Sequence, residues 1–182
     1  MTLPRMACLA AFFLMTLVGC SPALNWRSVP LEDVGLTALL PCKPDHTVRS
    51  VDVGGRKVDL ALWGCDADGA TFAVSHMRAP GAAQADAALE QWRAAVLARL
   101  QVAPPGGATP LSPFLPAGSM ALPSSGRLVA QGQRADGTSV SADAVWFAKL
   151  DGSDVRLYHA VVYAPSARPQ AADTFFAGLV LQ

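Results

Sequence analysis

The chain has 182 residues, 52% of them hydrophobic and 15% charged, with 14 Lys and Arg against 14 Asp and Glu. That length suits one domain, the apolar fraction excludes a disordered chain, and the balanced charge excludes a strongly basic nucleic-acid-binding face. Alanine and an apolar N-terminus supply the hydrophobic excess, so it does not indicate an integral membrane protein.

Residues 1–20 read MTLPRMACLAAFFLMTLVGC. Arg5 supplies a short positive region, and an apolar run from Met6 to Val18 follows it. The run has the length of a secretory signal and falls short of the roughly 20 residues a spanning helix needs. It ends in Leu17, Val18, Gly19 and Cys20, which resembles the lipobox of bacterial lipoproteins. The resemblance implies a diacylglycerol thioether on Cys20, cleavage before it and acylation of the new amino group. Ser21 and Pro22 follow, with no aspartate next to the cysteine. By the same resemblance this implies the outer membrane rather than retention at the inner one. Residues 1–19 are then a signal peptide, and the chain is expected to be lipid-anchored and periplasm-facing. Cleavage would leave 13 basic and 14 acidic side chains, too even a balance to steer phosphates, so no nucleic-acid partner is expected.

Cys8 leaves with the signal and Cys20 carries the lipid, which leaves Cys42 and Cys65 as a pair in an oxidising compartment. A disulfide is the expected pairing. The sharper alternative is a metal site using Cys42 and His46, four apart, with Cys65. Pro44 between them opposes a helix that would present both, and no CxxC or HxxxH spacing appears elsewhere. No metal or cofactor is expected.

Residues 20–35 read as the lipidated cysteine and a polar tether, with Trp26 as the first residue able to dock, and residues 36–182 as one domain. Leu36–Leu40 is a short apolar strand. Runs at 47–53 and 56–64 flank Gly54 and Gly55, a hairpin signal because both loop positions tolerate positive φ. Another strand spans 70–77. Residues 82–100 are the one long helix, with Ala85, Ala88, Leu89, Trp92, Val96 and Leu100 at helical spacing. Six prolines between 104 and 123 exclude both a helix and a central strand there. That long loop still carries Phe114, Leu115, Met120 and Leu122, either as pegs into the core or as a partner-binding surface. Strands at Gly126–Gln133, 139–149 and 155–163 form a meander. Pro169 opens a short helix through Phe175 and Phe176, and a last strand covers 179–181.

Two stretches carry a family look: LLPCKPD at 39–45 and RLYHAVVYAP with ADTFFAGLVL between 156 and 181. With the element order, they resemble the compact α+β domains of the PsbP-like family, and the first stretch also resembles uncharacterised proteobacterial lipoproteins. The resemblance implies an antiparallel sheet of about six to eight strands covered by one long helix and a short C-terminal one. It also implies a non-enzymatic binding or assembly role, and it transfers no ligand residues.

Chemistry is sparse. His46, His76 and His159 are the only histidines. GxSxG, HExxH, a Walker loop and Ser-x-x-Lys are all missing. A triad of Ser75 or Ser141 with His76 or His159 and Asp143 is possible on paper, and Asp66 and Asp68 hint at a calcium loop that lacks its remaining ligands. The four tryptophans are either core or a stacking platform. The expected function is a non-catalytic envelope lipoprotein that captures another envelope protein through Phe114, Leu115, Met120 and Leu122. A lipoprotein holding an apolar or envelope-derived ligand between sheet and helix near Trp92 and Trp146 is the alternative, and an unrecognised hydrolase is a third reading.

Overall fold

The computed structural model describes residues 23–182 apart from 32, 33, 54, 80 and 105. The signal and Cys20 lie outside the described residues. The domain is α+β, with two antiparallel sheets, a long helix and a short C-terminal helix. The strands are β1 (Arg27–Leu31), β2 (Leu36–Leu40), β3 (Asp45–Val53), β4 (Arg56–Ala67), β5 (Ala70–Arg78), β6 (Gly126–Gln133), β7 (Ser139–Asp151), β8 (Asp154–Ala164) and β9 (Val180–Leu181). A 3₁₀ turn at Ala82–Gln84 leads into α1 (Ala85–Arg99), and α2 is Pro169–Ala177. The small sheet has the order β1-β2-β9 and the large one β3-β4-β5-β8-β7-β6.

The large sheet is the middle layer. Along β7, residues 140–148 are all buried, the signature of a strand covered on both faces. The face carrying Phe72, Val74, Phe147, Tyr158 and Val162 packs under the small sheet and α2. The opposite face carries Met77, Trp146, Leu157 and Val161 and packs under Ala85, Ala88, Leu89 and Trp92 of α1. The β3–β4 hairpin outruns β5, since β4 pairs with β5 only over Ala61–Ala67. Its Val53, Val58 and Leu60 close over the α1 layer.

Two features differ from the sequence reading. The segment read as tether contains β1, whose five residues pair with β2 from Arg27↔Leu40 to Leu31↔Leu36. Trp26 already sits edge-on to Phe72 at 5.7 Å, and Asn25 N–H donates to the Pro41 carbonyl. The expected single sheet is also divided. Cys42 follows β2 and Cys65 lies in β4, so their disulfide joins the two sheets, with Cα atoms 6.0 Å apart.

The Pro-rich loop is laid along the β6 edge. Ser112 and Arg127 exchange backbone hydrogen bonds at 2.8 Å, Thr109 N–H donates to Val129 and Gln131 N–H to Gly107. Beyond the end of β6, Met120 N–H donates to Ala148 of β7. Asp86 of α1 accepts from Ser124 N–H and Arg93 donates to its carbonyl, both at 2.8 Å, which fastens the far end of the loop. One edge of the sheet is thereby paired irregularly rather than left open. Gly126 makes this possible, because a Cβ there would lie 2.5 Å from the Ser112 carbonyl oxygen.

Candidate functional site

Strand alternation separates the groups a triad would need. Asp143 shares a face with Phe147 and Tyr158 under α2, whereas Ser75 and His159 are cross-strand partners on the α1 face. Asp143 is instead gripped by Arg127, which donates from Nε at 2.8 Å and Nη2 at 2.7 Å. Ser141 accepts from Gln131. His76 lies on the Tyr158 face, at the far end from Asp143. These residues are not brought together.

His159 is stacked on Trp146 at 4.6 Å and meets the edge of Trp92 at 5.6 Å. All three are buried, and burial pushes the His159 imidazole down to about 3. The space between sheet and helix near Trp92 and Trp146 is therefore filled by the protein's own rings. At the end of β4 Asp66 accepts from Thr71, and in the turn that follows Asp68 pairs with Arg168 at 2.5 Å. Among the described residues, no three His, Cys, Asp or Glu converge on a metal position.

The four apolar residues of the Pro-rich loop divide. Phe114 packs on Phe147 and Phe176, with ring centroids 6.1 and 6.0 Å away. Met120 and Leu122 are half-buried against the α1 layer. These three act as pegs. Leu115 stays 51% exposed. It stands on the rim of a groove of ≈ 510 Å³ between residues 113–117 of the loop and residues 176–181 of the chain. The opposite rim carries Val180, 56% exposed. Two of the four exposed large apolar side chains among the described residues therefore face one groove; the others are Val48 and Leu150. The wall formed by α2 and β9 was not part of the sequence reading, because it comes from the other end of the domain.

Three features hold the groove open. Arg127 also donates to Asp173 of α2 at 2.6 Å and lies 5.0 Å from the Phe176 ring centroid, so α2 is fastened to the large sheet. The end of α2 lies so close to β2 that a Cβ on Gly178 would fall 2.1 Å from that of Leu39. Finally, Leu39 N–H donates to the Gly178 carbonyl and Gln182 N–H to Gly35. In an antiparallel ladder this phase turns the backbone N–H and C=O of Leu181 away from β2. The loop opposite has Pro113 and Pro116, which offer no N–H. The groove thus combines an apolar lining with one unpaired strand edge.

No protein-family model matches the chain, and no curated protein matches it either.

Proposed function

We propose that the protein is a non-catalytic envelope lipoprotein, anchored through Cys20 and facing the periplasm, that captures an extended apolar segment of another envelope protein. The observation that carries this reading is the pairing of exposed Leu115 and Val180 across one groove beside the open edge of β9. Strand addition at an edge supplies main-chain hydrogen bonds, and flanking apolar contacts supply selectivity. The lipobox-like Leu17-Val18-Gly19-Cys20 supports the anchor, and the inter-sheet disulfide fits an oxidising compartment. The motifs at 39–45 and 156–181 extend the reading to kinship with PsbP-like domains. The earlier surface of four loop residues narrows to Leu115 with Phe114 behind it.

The test is photo-crosslinking in living cells from positions 115 and 180, with mass spectrometry of the adduct. One envelope protein captured from both positions, with capture from 180 lost on Leu115→Ser and capture from 115 lost on Val180→Ser, is the expected result. Leu115→Ser should leave unfolding within about 0.5 kcal/mol of the parent, since the side chain is at the surface. Phe114→Ser should instead cost about 2–3 kcal/mol, because it removes a ring wedged between Phe147 and Phe176. Parent-level adducts from 180 in Leu115→Ser and from 115 in Val180→Ser would sink the docking reading.

A further inference from the structure

A second concavity, of ≈ 500 Å³, opens between Val34 of the β1–β2 turn and strands β3, β4, β5 and β8 of the large sheet. It shares no lining residue with the loop groove, and its volume is in the range of about 300–1,000 Å³ usual for small-molecule sites. Two different surfaces meet in it. On one side the exposed His46 ring lies flat on Trp63, with centroids 4.4 Å apart and planes 19° from parallel, and Val48 is exposed beside it. On the other side are His76, Arg78 and Arg156 of β5 and β8.

The strand register concentrates positive charge there. Arg78 is directly opposite Arg156, and Arg156 is directly opposite Lys149, which makes a row of three cations on adjacent strands. Like charges facing one another across strands are destabilising, and the row persists because acceptors beside it offset the charge. Asp154 pairs with Arg78 at 2.7 Å and Asp151 with Arg156 at 2.5 Å, while Lys149 donates to the Gln182 carbonyl. The Arg78–Asp154 pair is 60% and 55% exposed. Exposed pairs of this kind are weak, so Arg78 loses little stabilisation if it exchanges Asp154 for another carboxylate. Asp59 is the one acid in the lining among the described residues, and it confines an anionic head to the β5–β8 side.

His76 supplies an independent observation. It is 8% exposed, and its Nε2 has no hydrogen-bond partner, which is uncommon for a buried polar atom. Burial, with Arg156 and Arg78, pushes this imidazole down to about 4 against a smaller opposing effect of Asp151. At pH 7 the ring is neutral, so it adds no charge of its own beside Arg78 and Arg156.

We propose that this concavity binds a small organic anion with a flat apolar body, of the aromatic carboxylate class. The carboxylate meets Arg78 at the end where His76 lies, and the flat body rests on the His46–Trp63 stack and Val48. Aromatic rings stack favourably at such surfaces, and guanidinium groups match carboxylates in shape and charge.

The probes are 2-naphthoate and the neutral 2-naphthamide, titrated calorimetrically into the full chain in detergent, with detergent alone as the blank. Saturable one-to-one binding of naphthoate is expected, at least tenfold tighter than naphthamide. Arg78→Gln should weaken naphthoate at least tenfold and leave naphthamide unchanged, Arg78→Lys should restore part of the difference, and His46→Ala should weaken both probes. Both substituted side chains are exposed, and circular dichroism checks that each variant is folded. The proposal is overturned by an absence of saturable naphthoate binding, by equal affinity for the two probes, or by naphthoate binding that ignores Arg78→Gln in a folded variant.

Discussion

Arg127 shows how much one side chain can organise. It reaches from the edge strand β6 to Asp143 in the sheet and Asp173 in α2. Its hydrogen bonds to Asp143 are the largest influence holding the guanidinium charged well above the ordinary arginine range. The two carboxylates are not equivalent, since the Asp143 side chain is 8% exposed and that of Asp173 is 62% exposed. Asp143→Ala removes two charged hydrogen bonds and leaves the half-buried Arg127 only its exposed Asp173 partner, so it should cost about 2 kcal/mol in urea unfolding. Asp173→Ala should cost less than about 1 kcal/mol. Equal losses would mean that the bidentate geometry at Asp143 contributes nothing special. The two buried histidines make a second prediction at this scale. His76 and His159 are lowered to about 4 and about 3 in the folded chain, from 6.5. The unfolded chain therefore binds more protons as pH falls, and their effect on stability is absent above about pH 6.5. Below that, stability should fall by up to about 1.4 kcal/mol per pH unit for each imidazole until the folded-state values are reached. His159→Phe keeps a ring on Trp146 and should roughly halve the slope between pH 6 and 4.5.

Among the elements, the disulfide matters because of which strands it joins. β2 and β4 belong to different sheets, and only Pro41 to Pro44 separate β2 from β3. Closing a loop of 23 residues' separation should contribute roughly 3.5 kcal/mol through the unfolded chain. Cys42→Ser with Cys65→Ser should lower the unfolding free energy by about that amount; a loss below about 1 kcal/mol would show that the sheets hold without the link. The hairpins and the meander were legible in the sequence because their signals are local. Gly55 takes φ +79° and Gly137 φ +82°, as tight turns between alternating runs require. β1 was not legible, since RSVPL contains Pro30 and carries few apolar residues, and it becomes a strand only because β2 lies beside it. The division into two sheets was hidden for a related reason: a period of two shows that a strand exists, not which sheet it joins. The loop pegs Phe114, Met120 and Leu122 were visible as apolar outliers. Whether they faced in or out depended on Phe147, Phe176 and Ala148, which lie about 30 to 60 residues away.

For the whole molecule, the place where the domain begins decides how far it reaches. The sequence reading allowed a tether to residue 35, whereas Leu24 already packs against the core, followed by Asn25 on Pro41 and Trp26 on Phe72. With the lipid proposed at Cys20, three residues separate the anchor from Leu24, a stretch that spans at most roughly 14 Å when fully extended. Under that proposal the domain would sample a thin layer at the membrane surface, and its effective concentration toward a partner in that layer would be high. The partner is therefore expected to be embedded in, or held against, the same membrane. Inserting ten Gly/Ser residues between Ser21 and Pro22 lengthens the leash without touching the docked residues. Because effective concentration falls with linker length once the span is met, the insertion should lower crosslinking from position 115 several-fold. Cys20→Ala should abolish that crosslinking in cells while the purified domain still binds the captured partner. An increase in crosslinking on insertion would place the partner across the periplasm, out of reach of the short native leash.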